Sequence, residues 1–326
     1  MLAIEIASFG PPGVLRATER STPVVAPDEI LIAVEAVGVS RVDILQRQGK
    51  YPPPPGTSDL PGLDCAGTVA AVGESVTNWK MGDRVCALVS GGAYAELCAA
   101  PAVQALPIPE GWSAIEAATL PENLFTVYDN IVTRAHLSAG ETVLIHGGTS
   151  GIGSMAIMIA RALGAMPIAT AGSDEKCAAC LKLGAAEAIN YRTQDFLEIA
   201  RRFTGDKGVD VVLDMVGGSY FEKNLDVLAT EGRLALIATL GGTSATLNIF
   251  KLMRKRATIY ASVLRSRTSA EKGAIAERLL HHIWPLLPAR NAIRPVIDCT
   301  IPLRDASRAH ERMESGQHIG KIVLVV

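Results

Sequence analysis

Residues 142–153, with the sequence TVLIHGGTSGIG, decide the fold of this chain. Residues 142–146 are typical of a buried strand, and the glycine-rich run after them opens a helix. A pyrophosphate binds at such a place, because backbone N–H groups at a helix N-terminus are accessible where glycine leaves no side chain. The G-x-G-x-x-G pattern of dinucleotide-binding proteins has glycine where this chain has Ser150. We therefore predict a cofactor-phosphate site formed by Gly148, Thr149, Ser150, Gly151, Ile152 and Gly153.

Apolar strand runs and amphipathic helices alternate from this turn onward. The candidate strands are residues 142–146, 167–170, 188–191, 209–214, 233–238 and 258–263. Their continuous valine, isoleucine and leucine content indicates burial on both faces, as in a parallel sheet covered by helices. The pattern predicts an α/β protein with a doubly wound, Rossmann-type parallel sheet.

The first third of the chain has a different pattern. Residues 29–37, 67–76 and 84–98 alternate apolar with polar or small residues, with glycine turns at Gly73, Gly82 and Gly91-Gly92. This alternation predicts an antiparallel or barrel-like domain. After Arg267 the elements lack the spacing of a parallel sheet, so we expect them to rejoin this first domain. The predicted organisation is one domain from residues 1–121 and 268–326 and a second domain from residues 122–267.

Charge and composition exclude several classes of protein. The 326 residues include 31 Lys and Arg and 33 Asp and Glu, so the chain lacks the positive field of nucleic-acid-binding proteins. With 48% hydrophobic and 20% charged residues it is expected to fold around large cores. No uninterrupted apolar run reaches the roughly 20 residues of a membrane span. Six cysteines are sparse for this length, so we expect no disulfide framework and a cytoplasmic location.

The residues after the second strand of the parallel sheet determine the choice of cofactor. An NAD site has Asp or Glu about 20 residues beyond the glycine turn, to accept a hydrogen bond from the ribose 2′-hydroxyl. This chain has TAGS at residues 170–173, without a carboxylate. We predict that Ser173, Lys176 and Tyr191, beside Gly172, hold a 2′-phosphate and that the cofactor is NADPH. The alternative is that Ser173 only caps a helix and Lys176 is solvated, and the acidic residues at positions 174 and 175 favour it.

Further motifs are spread over the whole chain: GVSRVD at residues 38–43, QRQGKYPPP at 46–54, PGLD at 61–64, GD at 82–83 and GKIVL at 320–324. With the glycine turn, they resemble the zinc-independent quinone oxidoreductase branch of the medium-chain dehydrogenases/reductases. TAGS at 170–173, GGSYFEKN at 217–224 and LRSR at 264–267 are similar in particular to the tumour-suppressor-inducible quinone oxidoreductases. The resemblance implies a GroES-like β-barrel-type catalytic domain in addition to a Rossmann NADPH-binding domain.

The resemblance also bears on metals. Zinc-dependent members of the superfamily have cysteine at the position of Ser40 and histidine at the position of Leu63. A hydroxyl and an isobutyl group do not form a zinc site, so we predict that the chain holds no metal. Without such a Lewis acid the acceptor must already be electrophilic, as a quinone or a conjugated enone is.

Two residues are candidates for catalysis. Tyr51, ahead of a run of four prolines, is predicted to donate a hydrogen bond or a proton to the acceptor. The alternative is an aromatic wall that only stacks on it. Ser40 is the second candidate, although family members often have asparagine there, in contact with the nicotinamide or the substrate. The predicted function is an NADPH-dependent quinone oxidoreductase acting on small quinones.

Other predicted cofactor contacts lie after the later strands of the sheet, where parallel sheets bind their ligands. They are Val216, Leu240, Gly241, Val263 and Leu264, to which the resemblance adds Thr126. The alternative for these positions is plain core packing. The resemblance also implies a homodimer, formed when the edge strand at residues 257–263 pairs with its copy.

Two other functions remain open. An alkenal or enoyl-thioester reductase would use the same fold and cofactor on a conjugated double bond. An RNA-binding or crystallin-like protein would use a local set of basic residues, Lys251, Arg254, Lys255, Arg256, Arg265 and Arg267. A solvated face with contacts to cofactor phosphates explains this set better, because no aromatic residues interleave with it for base stacking. We therefore expect no nucleic-acid partner, and we expect no membrane partner.

Overall fold

The computed structural model describes residues 1–289 and 293–326, which form two compact units. Unit 1 comprises Met1–Phe125 and Leu264–Val326, and unit 2 comprises Thr126–Val263. The junctions expected from the sequence, 121/122 and 267/268, differ from these by four residues each. The residues in between belong to unit 1, because the polar groups of Glu122 and Arg265 are hydrogen-bonded there.

Strands and helices cover most of the described chain. In chain order the strands are β1 (Leu2–Ile6), β2 (Leu15–Glu19), β3 (Glu29–Gly38), β4 (Asp64–Val72), β5 (Arg84–Leu88), β6 (Leu97–Pro101), β7 (Ala105–Pro107), β8 (Thr142–Ile145), β9 (Met166–Ala171), β10 (Glu187–Asn190), β11 (Val209–Asp214), β12 (Leu228–Leu236), β13 (Thr258–Ala261), β14 (Ile297–Pro302) and β15 (Lys321–Val325). The helices are α1 (Arg41–Arg47), α2 (Ala114–Ala117), α3 (Pro121–Val127), α4 (Gly151–Ala162), α5 (Asp174–Leu183), α6 (Phe196–Phe203), α7 (Phe221–Val227), α8 (Ile249–Lys255), α9 (Ser269–His282), α10 (Leu286–Ala289) and α11 (Ala306–Glu314). Shorter segments are the 3₁₀ turns Pro12–Val14, Ala102–Gln104, Gly218–Tyr220 and Leu303–Asp305 and the π-helical segment Tyr128–Arg134.

Unit 2 is built on a six-stranded parallel sheet with the strand order β10-β9-β8-β11-β12-β13. The central strands β8 and β11 are buried along their whole length, as their branched apolar residues require. The chain runs outward from β8 to β10 on one side and from β11 to β13 on the other. Such a switch point is where doubly wound sheets bind ligands, and the predicted Rossmann-type sheet is confirmed.

Unit 1 contains a seven-stranded sheet with the order β14-β15-β3-β4-β5-β7, to which β6 is added by pairing with β3. Neighbouring strands are antiparallel except β14 and β15. The long strand β3 pairs with β4, β6 and β15, and its buried residues Ile30, Ile32 and Val37 belong to the core of this unit. This sheet therefore depends on β3 for its continuity.

Within residues 84–98 the sequence has a glycine turn at Gly91 and Gly92, and the structure has β5 before that turn and the start of β6 after it. One prediction about unit 1 is wrong in detail. The elements after Arg267 were expected to lack parallel spacing, yet β14 and β15 pair in parallel around α11. In unit 2 the predicted edge strand at 257–263 is shorter, because β13 ends at Ala261.

Candidate active site

The glycine turn follows β8 in unit 2 and leads directly into α4. The Ser150 hydroxyl oxygen accepts a hydrogen bond from the Gly153 N–H at 2.9 Å and so caps the helix. A Cβ atom on Gly153 would lie 2.2 Å from the carbonyl oxygen of Gly147, so only glycine lets the helix start this close to the turn. The 12-residue helix presents its first N–H groups here, as a phosphate site requires. The other predicted residues in this turn are Gly148, Thr149, Gly151 and Ile152.

A buried polar network lies beside the turn, and sequence reasoning missed it. Nδ1 of His146 is 3.0 Å from the Thr170 hydroxyl, and Nε2 is 2.8 Å from Asn224 Oδ1. The Asn224 amide donates to Asp214 at 2.9 Å. Burial lowers the pKa of His146, which keeps its ring neutral at pH 7. The network joins the carboxyl ends of β8, β9 and β11 and so holds the turn in place.

The carboxyl end of β9 gathers most of the residues predicted to select the cofactor. Ser173 caps α5, because its hydroxyl accepts from the Lys176 N–H at 3.3 Å. A Cβ atom on Gly172 would lie 2.7 Å from the Tyr191 hydroxyl, which places Tyr191 at this corner. Nε of Arg192 lies 3.6 Å from the position of that Gly172 Cβ atom, so Arg192 adds a cation that sequence reasoning missed. The sequence offered one signal for Arg192, namely a basic residue directly after Tyr191.

The acid nearest to this corner has another partner. Oδ1 of Asp174 accepts a hydrogen bond from Nδ2 of Asn190 at 2.7 Å. Asn190 is buried at the end of β10, so the contact fastens the start of α5 to that strand. Because Asp174 is bonded to Asn190, this contact argues against Asp174 as the acceptor of a hydrogen bond from the ribose of a cofactor.

Three more of the predicted residues meet after β11 and β12. The Gly241 N–H donates to the Val216 carbonyl at 2.6 Å, and the Leu240 N–H donates to the Met215 carbonyl at 3.2 Å. The Leu240 side chain is 52% exposed and that of Val263, after β13, is 54% exposed. Core packing therefore does not explain these two apolar residues.

Thr126 and Ser262, which precedes Val263, are linked through Asn130. The Thr126 carbonyl accepts from Nδ2 of Asn130 at 2.8 Å, and Oδ1 of Asn130 accepts from the Ser262 hydroxyl at 2.8 Å. Leu264 differs from the other predicted cofactor residues, because it belongs to unit 1.

Unit 1 contains a second candidate site, which we call the Lys321 cluster: Ser40, Asp43, Asp64, Glu122 and Lys321. Nζ of Lys321 donates to Asp64 Oδ2 at 2.8 Å and to Ser40 Oγ at 2.9 Å. The Ser40 hydroxyl is 3.4 Å from Glu122 Oε2, to which it donates, and the Glu122 N–H donates to Asp64 at 2.6 Å. Four members are buried and Glu122 is partly exposed. Sequence reasoning chose only Ser40 from this cluster as catalytic.

Local structure positions the cluster. Ser40 and Asp43 form a capping box at the start of α1, in which the Ser40 N–H donates to Asp43 at 2.8 Å. Asp64 begins β4 and Lys321 begins β15, and both strands pair with the end of β3. Burial raises the pKa of Asp43 to about 6 and that of Glu122 to about 7, although the Lys321 charge opposes both shifts.

Tyr51 lies close enough to this cluster to respond to its charge. The Arg265 guanidinium is 5.7 Å from the centre of the Tyr51 ring, and it is held by Gln46 Oε1 at 2.7 Å and the Ser90 carbonyl at 2.8 Å. Burial raises the pKa of Tyr51, the Arg265 charge opposes the shift and the Glu122 charge adds to it. Tyr51 is therefore protonated at neutral pH and is a weaker acid than an exposed tyrosine.

Neither Ser40 nor Leu63 supplies the thiolate or imidazole that the resemblance leads us to compare at these two positions. Leu63 is packed in the core, and the Ser40 hydroxyl is bonded to Lys321. Residues 1–289 and 293–326 contain no group of three or more His, Cys, Asp or Glu able to hold a metal ion. In that same part of the chain no helix is long and apolar enough to cross a membrane. All six cysteines are free thiols, and the cytoplasmic location stays a prediction.

The basic residues considered for RNA binding are paired or dispersed. Lys251 forms an ion pair with Asp226 at 2.7 Å, and Arg256 forms one with Glu231 at 3.1 Å. Arg265 is buried in unit 1. The absence of a nucleic-acid partner stays a prediction.

Comparisons with known proteins agree with this architecture. The family model described as alcohol dehydrogenase GroES-like domain matches residues 26–110, and the one described as zinc-binding dehydrogenase matches residues 151–279. The quinone oxidoreductase of Homo sapiens is 32% identical over 100% of this chain and 98% of its own length. The structure of Escherichia coli quinone oxidoreductase complexed with NADPH has 32% identity and a TM-score of 0.88, covering 100% of both chains. A structure of an NAD-dependent alcohol dehydrogenase has 28% identity and a TM-score of 0.86, again covering 100% of both.

The GroES-like unit 1 and the Rossmann unit 2 define a medium-chain dehydrogenase/reductase, and the protein is an oxidoreductase. Within this class the chain belongs to the quinone oxidoreductase family. The finer resemblance to the tumour-suppressor-inducible group stays a prediction.

Proposed function

We propose that this protein uses NADPH to reduce small quinones without a metal ion. The observation that carries the choice of cofactor is the carboxyl end of β9, where Ser173, Tyr191 and Arg192 meet and the nearest acid, Asp174, is bonded elsewhere. The names of the relatives support quinones as acceptors. The hydroxyl and isobutyl side chains at positions 40 and 63 support an acceptor that needs no Lewis acid.

The residues of unit 2 fit such a cofactor. When bound, NADPH supplies a hydride to the acceptor. The N-terminus of α4 holds the pyrophosphate, because Gly153 brings backbone N–H groups to the turn without a side chain. Lys176 and Arg192, with the hydroxyls of Ser173 and Tyr191, hold the 2′-phosphate. The exposed apolar side chains of Leu240 and Val263, with those of Val216 and Thr126, line the nicotinamide and exclude water.

The test is NADPH oxidation by the purified protein in the presence of a metal chelator. The acceptors are 1,2-naphthoquinone, 1,4-benzoquinone and a short 2-alkenal. We expect turnover with the quinones that the chelator leaves unchanged. Turnover with the alkenal alone would move the function to double-bond reduction, and tight NADPH binding without any turnover would favour a binding protein.

We expect NADPH to be preferred over NADH by at least about tenfold in kcat/KM, which corresponds to about 1.4 kcal/mol. Arg192→Ala removes one cation from the corner after β9, so this preference should fall several-fold while kcat with NADH stays the same. The control is Arg202→Ala, since Arg202 is exposed on α6. Equal preference in wild type and Arg192→Ala would contradict this assignment.

We also propose a homodimer formed through β13. This strand is last in its sheet and pairs, among the described residues, with β12 alone. On α8 just before it, Phe250 is 69% exposed and Met253 is 66% exposed. A second copy would pair the strand edge and cover this apolar surface. Sedimentation should give twice the chain mass of 34.3 kDa, and a species of single mass at micromolar concentration would contradict the dimer.

A further inference from the structure

The Lys321 cluster contains more negative than positive side chains. Asp43, Asp64 and Glu122 surround Lys321, and the Glu122 charge also acts on the neighbouring Tyr51. Three ionised carboxylates beside one ammonium group in a buried place would repel each other strongly. At neutral pH at least one carboxyl of the cluster therefore keeps its proton.

The hydrogen bonds show which carboxyl this is. Asp43 accepts from the Ser40 N–H, the Gly62 N–H and the Tyr94 hydroxyl. Asp64 accepts from the Lys321 ammonium group and the Glu122 N–H. By contrast, the Glu122 carboxyl receives one long hydrogen bond, from Ser40 at 3.4 Å. Since donors stabilise the ionised form, Glu122 is the carboxyl least stabilised as an anion and the one that holds the proton.

Glu122 is also the only partly exposed member, and the others are at most 4% exposed. Glu122 is therefore the carboxyl of the cluster that is accessible from outside the unit, whereas Asp43 and Asp64 are enclosed. We propose that Glu122 is a neutral carboxylic acid in the resting protein and donates its proton to the acceptor during reduction. This inference rests on the proposed function for the identity of the acceptor.

The step balances as follows. The acceptor gains a hydride, that is two electrons and one proton, and becomes an oxyanion. The O–H bond of Glu122 breaks, its proton joins that oxyanion, and Glu122 is left as a carboxylate. Lys321, through the Ser40 hydroxyl, stabilises this carboxylate until water returns a proton to it. Over the whole cycle NADPH, one proton and the acceptor give NADP⁺ and the reduced acceptor.

Glu122 is better suited to this task than Tyr51. Burial, with the Asp64 and Asp43 charges, raises the pKa of Glu122 to about 7, whereas burial moves the pKa of Tyr51 above its ordinary value of 10. A general acid is most effective when its pKa lies near the working pH. On this view Tyr51 orients the acceptor and Glu122 supplies the proton.

The protonation state is tested without any substrate. Folding raises the pKa of Glu122 from its ordinary value of 4.5 to about 7. The contribution of Glu122 to the stability of the folded protein is therefore lost as the pH rises through this range. Glu122→Gln keeps the shape of the side chain and removes this titration. We expect the folding equilibrium constant of the variant, divided by that of wild type, to rise at least about tenfold between pH 5 and pH 8 in urea unfolding experiments. The matched control is Glu110→Gln, in which an exposed glutamate of the same unit is changed and the ratio should stay constant.

The proton transfer is tested by turnover. At pH 7 Glu122→Gln should lower kcat with 1,2-naphthoquinone by about 10²-fold, leave the Kd of NADPH unchanged and abolish the fall of kcat above neutral pH. Turnover of the variant equal to wild type, or a constant stability ratio from pH 5 to pH 8, would overturn the inference. If wild type reduces no quinone, the proposed function fails, and the stability ratio still decides whether Glu122 holds the proton.

Discussion

Replacing Lys321 by methionine should destabilise the protein by about 3–5 kcal/mol at pH 8. The substitution removes the cation that donates to Asp64 and Ser40, and it leaves Asp64 and Glu122 without the positive charge that offsets theirs. Because both side chains of the Lys321–Asp64 pair are at most 5% exposed, water cannot replace the lost interaction. Urea unfolding at fixed temperature measures the change in the free energy of unfolding.

The loss of stability caused by Lys321→Met should be smaller at low pH than at high pH. Lowering the pH from 8 to 5 protonates Glu122 and Asp43, whose pKa values are raised to about 7 and about 6, so the variant then has fewer unpaired charges. The deficit relative to wild type should therefore shrink at pH 5. A suitable control is Lys223→Met, which breaks an exposed ion pair with Asp195 and should cost less than about 1 kcal/mol. Equal losses of unfolding free energy in the two variants would show that Lys321 stabilises the protein no more than an exposed lysine does.

Gly153→Ala should weaken NADPH binding by at least about tenfold, or about 1.4 kcal/mol. The new methyl group would lie 2.2 Å from the Gly147 carbonyl oxygen, and backbone has to shift before it fits. That shift moves the first N–H groups of α4 away from the phosphate they are proposed to bind. Titration of the cofactor by fluorescence or calorimetry measures the Kd.

The matched control is Gly13→Ala, because a Cβ atom there meets nothing within 4 Å and the backbone has an ordinary φ. Its Kd and Tm should equal those of wild type. A thermal melt separates loss of binding from loss of folding in Gly153→Ala. Unchanged affinity for NADPH in a folded Gly153→Ala variant would show that the N-terminus of α4 does not bind the cofactor phosphates.

Features that depend on neighbouring residues could be predicted from the sequence. The strand of residues 142–146, the glycine turn and the helix after it act within a short segment, and the structure has β8 and α4 there. Ser150 was predicted to take part in the turn, and it caps α4. The turn at Gly91 and Gly92 is visible in the sequence, whereas the pairing of β5 with β4 and of β6 with β3 depends on distant residues.

Features that depend on distant residues could not be predicted. Lys321 and Asp64 are separated by 257 positions, and nothing in the local pattern around either residue identifies the other. The available signal was a charged residue at the start of an apolar strand run, such as Lys321 before IVLVV. Arg192 was missed for the same reason, since its approach to Gly172 depends on the pairing of β9 with β10.

The arrangement of unit 1 as two chain segments has a consequence for biosynthesis. Residues 126–263 lie between the segments, so the first 125 residues leave the ribosome long before Leu264–Val326 exist. Until β15 is made, β3 lacks one neighbour and Asp64 lacks its cation. The nascent N-terminal segment therefore carries an unsatisfied sheet edge and a buried acid through the whole synthesis of unit 2. We therefore expect this segment to depend on chaperones during synthesis more than unit 2, whose residues are contiguous in the chain.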